Sequence, residues 1–453
     1  MRRNFIKLVL ALGDFAVMVG ALAVMVLYRY GTDKFSEHFA KHIYPFLIVF
    51  FLWVIAFYVL EIYNINTPFN HRKFGVAMAV NTMIAITFIY LFLDVVEISP
   101  RRNLAILLVA FVPLFYGWRF LFTRVIDAMA ITKAVAIIGS DKYALELAAQ
   151  IGQQKRQGFR VAAMVCDSDS NVKGCGSESQ IQMFQTVAEL KDHIPTLKID
   201  IIIVSDSWYE SIYADLYELL PLRIQFYQLT TFWERFLESI PIYSAKESWF
   251  LENFNRGTNR GYSFIKRLMD LTVTLIFLPL VLVLAGITAL LVKMSSPGPA
   301  LFSQTRVGRN DQHFTIFKFR SMVVDAEKDG AQWAQERDPR ITPVGRFIRA
   351  TRLDEIPQLW NVLRGDMSII GPRPERPEFV RQLAREIPHY HLRHLVRPGL
   401  TGWAQVRYRY GASTEDAAVK LTYDLYYVKN ISAVLDIKIA LKTVFTILGG
   451  QGR

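Results

Sequence analysis

The apolar positions form long unbroken runs at the start of the chain and short segments between polar stretches after it. Four runs precede residue 130, at 5–28, 44–63, 74–96 and 104–126. Each is near the ~20 residues that cross ~30 Å of hydrocarbon, so they predict four membrane-spanning helices. A signal peptide is the alternative for the first, but that run is too long and no small-residue cleavage site follows it. Asp14 and Asp94 lie inside the first and third runs, and Arg119 near the end of the fourth. Arg119 is placed to snorkel, whereas a carboxylate in lipid is costly, so Asp14 is expected to face other helices or the interface. Arg2, Arg3 and Lys7, then His71-Arg72-Lys73, then Arg124 and Lys133 flank the runs on the side predicted to be cytoplasmic. Arg101 and Arg102, in the second external loop, are a mild exception.

From Lys133 the pattern changes. Apolar strands are expected at 134–138, 161–165 and 199–204, alternating with helical periodicity. That alternation predicts a parallel, doubly wound sheet. The first strand ends in Gly139-Ser140-Asp141-Lys142. It lacks the G-x-G-x-x-G that lets a backbone approach a pyrophosphate, so a structural or regulatory domain is favoured over a nucleotide-binding one. Residues 207–262 are aromatic-rich and are expected to finish this domain and run along the membrane surface through Trp233, Phe236, Trp249 and Phe250.

A fifth apolar run covers 268–292, preceded by Arg256, Arg260, Lys266 and Arg267 and followed by Lys293, Arg306 and Arg309. Positive charge at both ends opposes translocation of either. Pro279, in mid-run, removes a backbone hydrogen bond and clashes with the preceding turn. The reading is two short helices meeting at Pro279 that enter one leaflet and return. A fifth crossing with a proline kink is the alternative.

Composition narrows the class. At 453 residues the chain has room for about three folded units. Hydrophobic residues make up 52% and charged residues 20%, below the ~25% usual in soluble domains. This excludes a disordered chain, an acidic tail protein and a wholly soluble enzyme. The net charge is +12, and the two cysteines, Cys166 and Cys175, support neither a disulfide scaffold nor a structural zinc site.

The candidate chemistry lies near the C-terminus. Lys318 and Arg320 close an alternating segment, Phe314–Met322; alone they read as a solvated basic face. The stretch 345–374 shifts that balance. Asp354 and Glu355 are adjacent and held between Arg349 and Arg352 upstream and Arg364 and Arg373 downstream. Adjacent side chains on a helix point in different directions, so the two carboxylates are free to take two roles, one nucleophile and one metal ligand. Pro357 suits a helix's first turn, which puts the pair at a helix N-terminus. Arginines clamp phosphate oxygens, and carboxylates form aspartyl-phosphate intermediates. An i, i±3 ion-pair network is the plain alternative and would also explain Arg352 and Glu355.

These motifs, with Ser296-Pro297-Gly298-Pro299, Asn361-Val362-Leu363-Arg364-Gly365-Asp366, Gly371-Pro372-Arg373-Pro374, Arg397-Pro398-Gly399-Leu400-Thr401-Gly402-Trp403 and Tyr427-Val428-Lys429-Asn430, closely resemble the bacterial polyprenyl-phosphate hexose-1-phosphate transferases. The match runs from about Lys266 to the C-terminus. The resemblance implies an α/β membrane protein in four parts: a four-helix transmembrane bundle (1–130), a Rossmann-like middle domain (131–258), a re-entrant membrane helix (259–293) and a mainly α monotopic catalytic domain (294–453). One departure is visible: the family's helix break is often Ser-Pro, whereas Leu278 precedes Pro279 here.

The implied reaction transfers hexose-1-phosphate from a UDP-hexose, with glucose expected ahead of galactose and an N-acetylated sugar, to undecaprenyl phosphate, releasing UMP. Asp354 would be the nucleophile, and Glu355 would help hold Mg²⁺. Arg349 and Arg373 match phosphate-binding positions, with Lys318 and Arg320 as weaker candidates. Asp366 is read as structural or as an arginine's partner. Membrane lipid is the expected surroundings and nucleic acid is not a partner, while a homodimer is left open. The expected location is the bacterial inner membrane, multi-pass, with the catalytic domain facing the cytoplasm.

Overall fold

The computed structural model describes residues 2–59, 62–63, 74–75, 77–79, 81–83, 85–86, 100–128, 132–153, 158–166, 181–222, 224–254, 260–323, 326, 338–408, 411 and 413–448. Three long helices, α1 (Arg2–Tyr30), α2 (Phe35–Val59) and α3 (Pro100–Ala128), form the N-terminal bundle. Each contains a stretch apolar and long enough to cross a membrane: Ile6–Tyr30, Phe35–Tyr58 and Asn103–Val125. The expected third span lies mostly outside the described residues, as does Asp94; those described between 74 and 86 are helical. Asp14 does face other helices. Arg119 corrects the expectation of snorkelling: it is buried and pairs with Asp14. An ion pair inside the bundle avoids leaving a lone carboxylate in an apolar surrounding.

The middle of the chain folds into a five-stranded parallel sheet of order β3-β2-β1-β4-β5. The strands are β1 (Lys133–Ile138), β2 (Phe159–Val165), β3 (Gln182–Phe184), β4 (Ile199–Val204) and β5 (Gln225–Gln228). The three expected strands are present. The two additional ones form the edges and are short, and neither has a continuous apolar run. Side chains alternate across the central strand: Val135 and Ile137 pack on one face with α4 (Lys142–Gln153) and α7 (Leu229–Leu237). Ala136 and Ile138 pack on the other with α5 (Val187–Leu197) and α6 (Tyr213–Glu218). Period-two alternation thus feeds two cores, giving three layers.

The aromatic segment departs from expectation. Trp233 is 5% exposed in the sheet's core, with Phe236 against it. Trp249 and Phe250, on α8 (Glu247–Phe254), pack with Ile240, Ile242, Leu383, Leu421 and Leu425. These rings are interior because the chain folds back onto its C-terminal part, so they do not line a membrane surface. Packing also moves the boundary of the middle domain: apolar side chains from Ile240 onward belong with the C-terminal part, earlier than residue 258.

The fifth run is one helix, α9 (Arg260–Ser295), with Pro279 inside it. The expected pair of short helices is a single helical run, since a proline deletes one backbone bond while apolar neighbours on both sides keep the rest. Both flanks dock on the same C-terminal unit. Arg267 donates to the carbonyls of Val362 and Leu363, at 2.5 and 2.8 Å. Asp270 accepts from Ser368 Oγ and the Ile369 amide, both at 3.1 Å. Beyond Pro279, Ala285, Ala289 and Val292 pack with Phe319, Ile348, Leu353 and Ile356. Between the flanks, Ile276, Phe277, Leu280, Leu282 and Val283 are exposed.

The C-terminal unit is mainly helical around the hairpin of β6 (Leu301–Val307) and β7 (His313–Phe319). Then come α10 (Pro343–Ala350), α11 (Gln358–Arg364), β8 (Ser368–Ile370), α12 (Pro377–Glu386), β9 (Gly399–Thr401), α13 (Trp403–Arg407), α14 (Thr414–Lys429) and α15 (Ala433–Leu448). β8 and β9 pair in parallel, and the backbones of Gly371 and Gly399 meet so closely that a Cβ on Gly371 would lie 2.3 Å from the Arg397 carbonyl oxygen. Glycine is required there by space.

Candidate active site

Asp354 and Glu355 sit on a single 3-10 turn, Leu353–Glu355, just before α11. The chain is set up for that turn on both sides. Thr342 caps α10 by accepting from the Gly345 amide, and Gly345 presses so close to Ser321 that a Cβ would lie 1.9 Å from its carbonyl oxygen. Arg352 takes a left-handed φ of 60°, costly for a residue with a Cβ, and this redirects the chain into the turn. Downstream, the buried Asn361 ties α11 to β7 by donating to the Thr315 carbonyl at 2.7 Å. Ile316 and Lys318 share a face of β7; Ile316 packs against Val362, and Lys318 reaches Glu355.

The two carboxylates have different surroundings. Glu355 Oε1 lies 2.8 Å from Arg373 Nη2, 3.4 Å from Lys318 Nζ and 3.8 Å from Arg352 Nη1. Burial pushes its carboxyl up, but the charges of Arg373, Lys318 and Arg352 outweigh this and hold it well below the usual range. Asp354, 7% exposed, is raised instead: burial and the neighbouring Glu355 carboxylate outweigh Lys318, Arg349 and Arg373. Burial lowers the Lys318 ammonium to about 8, with Glu355 opposing and Arg373 and Arg306 adding to the fall.

Three buried atoms in or beside this cluster have no hydrogen-bond partner among the described residues: Asp354 Oδ1, Arg349 Nη1 and Gln358 Nε2. One is an anionic acceptor and two are donors. Unpaired buried polar atoms are expensive, so the set is suited to a ligand that supplies both anionic oxygens and an electrophile. Asp354 and Glu355 together offer hard oxygen donors. That chemistry fits Mg²⁺, which takes one or two carboxylates and shares the rest of its shell with substrate phosphates.

Of the residues singled out from sequence, Asp354, Glu355, Lys318, Arg349 and Arg373 come together. Arg320 does not act on the carboxylates. Its guanidinium donates to the carbonyls of Ser296 and Pro297 at 2.8 and 2.9 Å and so fixes the turn after α9. Asp366 is an arginine's partner, 3.5 Å from Arg364 Nε. The Arg352–Glu355 ion pair, the plain reading of their spacing, is also present. Asn361, Arg393 and Asp424 had no role from sequence, because a buried polar residue looks the same in one dimension as an exposed one. In the middle domain, Asp141 Oδ1 accepts from the Tyr143 and Ala144 amides at 3.0 Å. Two amides that would meet a phosphate at that helix N-terminus are thus already used by the chain's own carboxylate.

A long apolar helix docked on a small domain that gathers cations around paired carboxylates makes a setting suited to a phosphate group. Residues 261–450 match the family described as bacterial sugar transferase. The chain is 53% identical over 191 residues to the UDP-N-acetylgalactosamine-undecaprenyl-phosphate N-acetylgalactosaminephosphotransferase of Aeromonas hydrophila, covering 42% of this chain and 45% of that one. It is 52% identical over 129 residues to a putative undecaprenyl-phosphate N-acetylgalactosaminyl 1-phosphate transferase of Bacillus subtilis, covering 28% and 72%. It is 32% identical over 320 residues to the undecaprenyl-phosphate glucose phosphotransferase of Komagataeibacter xylinus, covering 69% and 59%. The chain belongs to the bacterial sugar transferase family. The match spans about half the length of the first of these relatives.

Proposed function

We propose that the protein transfers a sugar-1-phosphate from a UDP-hexose to undecaprenyl phosphate, releasing UMP and starting the assembly of a surface polysaccharide. The observation that carries this is the buried, unpaired Asp354 oxygen beside a Glu355 clamped by Arg373 and Lys318. Asp354 attacks the β-phosphorus; the bond to the bridging oxygen breaks, and UMP leaves with that oxygen. An oxygen of the lipid phosphate then attacks the same phosphorus, releasing Asp354 and forming the diphosphate. Arg349 and Arg373 bind and orient the phosphate oxygens, and Lys318 adds charge from the side of Glu355. Glu355 would help hold Mg²⁺, which would supply neutralisation of the diphosphate charge. Phosphoryl transfer depends mainly on such positioning and charge.

The donor sugar has two candidates. Glucose is supported by the Komagataeibacter relative, whose similarity extends beyond the transferase segment into the middle domain. N-acetylgalactosamine is supported by the higher identity of the Aeromonas and Bacillus relatives. In this reading α9 is re-entrant, both ends lying on the cytoplasmic side of the inner membrane with the nucleotide sugar. Support comes from the docking of its two flanks at opposite ends of one short segment, Leu353–Arg364. A straight helix would hold Arg267 and Val292 about 37 Å apart, whereas 12 residues of compact turn and helix reach only ~18 Å. The test is UMP release by purified protein with undecaprenyl phosphate and a panel of UDP-sugars. Release with one donor and Mg²⁺ is expected; no release with any donor would overturn the reading.

A further inference from the structure

Arg373 is the closest cation to Glu355, yet it lies on an irregular stretch between β8 and α12. Its position depends on what holds the backbone there. Its carbonyl accepts from Arg393 Nη2 at 2.9 Å. Arg393 is 6% exposed and belongs to a 3-10 segment, Tyr390–Leu395. The same nitrogen donates to Asp424 Oδ2 at 2.8 Å, and Nη1 donates to Tyr390 Oη at 2.7 Å. Asp424, on α14, is 2% exposed. One guanidinium thus joins three elements, and one of its acceptors is the main chain of the active-site arginine.

A buried ion pair is weak grounds for stability, because desolvation offsets much of the attraction. What a planar guanidinium adds is direction: its fork fixes several acceptors at set angles, which an ammonium does not. We propose that Arg393, with Asp424 as its counter-ion, is a positioning residue that fixes the Arg373 backbone so that the Arg373 guanidinium meets Glu355. The proposal rests on the transferase reading above.

The test is a double-mutant cycle on full-length protein in detergent. UMP release is measured with undecaprenyl phosphate and the better of UDP-N-acetylgalactosamine and UDP-glucose, alongside thermal stability. Arg393→Ala should lose both stability and activity. Arg393→Lys restores a buried charge for Asp424 and should recover most of the stability, yet kcat/KM should stay down by about tenfold or more. In an Arg373→Lys background the same Arg393→Lys change should cost less than about threefold, since coupled residues are not additive. Equal losses in both backgrounds, or activity returning along with stability, would overturn the proposal. If Arg393→Lys does not fold, Tyr390→Phe carries the same cycle, with a loss of about threefold in the native background and none beside Arg373→Lys. Native protein that releases no UMP would instead sink the transferase reading.

Discussion

At Asp354 and Glu355 two neighbouring carboxyls are driven in opposite directions, one raised by burial and its neighbour's charge, the other lowered by three cations. Such a split assigns different work to each. Asp354→Asn should abolish turnover, because an amide is no acceptor for the phosphosugar, and Glu355→Gln should be severely impaired. Mass spectrometry after incubation with UDP-sugar alone should find a hexose-phosphate adduct on Asp354; near-native turnover by Asp354→Asn would refute the nucleophile. The pH profile follows from the same charges. As the proposed nucleophile Asp354 must be ionised, so activity should fall as pH drops through its pKa, which burial and Glu355 raise from the ordinary aspartate value. Lys318 loses its proton near pH 8, so activity should also fall above that. Arg373 lowers Asp354, Glu355 and Lys318 alike, so Arg373→Ala should move both limbs of the residual rate to higher pH. A profile unmoved by that change would show that Arg373 does not set these charges.

The elements show what a one-dimensional pattern carries. Strands β1, β2 and β4 were legible because fully buried parallel strands read as continuous apolar runs. β3 and β5 were not, being short edge strands with polar positions. The placing of Asp354 and Glu355 ahead of a helix was legible from Pro357, although Pro357 caps α11 instead of lying in its first turn; the separate 3-10 turn and the left-handed Arg352 that makes it leave no mark in composition. Aromatic density misled: Trp249 and Phe250 read as an interface and are core. For α9 the positive charge at both ends and the docking of both flanks are the two supports of the proposed re-entrant path. Arg267 and Val292 are held on one small unit while the middle of the helix stays exposed. Pro279→Ala restores one backbone bond and stiffens the run toward a length of about 37 Å between those residues. It should therefore strain both docking sites, lower activity and give a mixed topology. Cysteines introduced at Gly261 and Ser303 report this in intact cells: both should be shielded from an impermeant periplasmic reagent when Pro279 is present. Labelling at Ser303 in that case would mean a full crossing.

Across the whole molecule, the stretch from Glu234 to Phe250 is joined to the transferase segment by ion pairs and by apolar contacts. Glu234 pairs with Lys429 at 2.6 Å, and Glu238 pairs with Lys438 at 2.7 Å and with Arg407. The second kind is apolar: Ile240, Ile242, Trp249 and Phe250 are each at most 7% exposed against Leu383, Tyr390, Leu421 and Leu425. The ion pairs are partly wet and worth about 0–1 kcal/mol each, whereas each large apolar side chain contributes roughly 1.5–3 kcal/mol of burial. The apolar contacts therefore decide where the chain can be cut. A chain beginning at Asn259 loses all four apolar residues, on the order of 6–12 kcal/mol, which matches the whole stability of an ordinary domain. It should aggregate or fold poorly despite holding every residue of the candidate site. A chain beginning at Ser239 keeps those residues and gives up the clamps of Glu234 and Glu238 and the Glu238 carbonyl that accepts from the buried Trp403 Nε1 at 2.9 Å, so it should insert, fold and retain part of the UMP-releasing activity. Thermal unfolding and activity of the two truncated chains in the same detergent make the comparison. If the chain from Asn259 proves as stable and as active as the one from Ser239, Trp249 and Phe250 do not complete the transferase core, and the middle domain ends where the aromatic segment does.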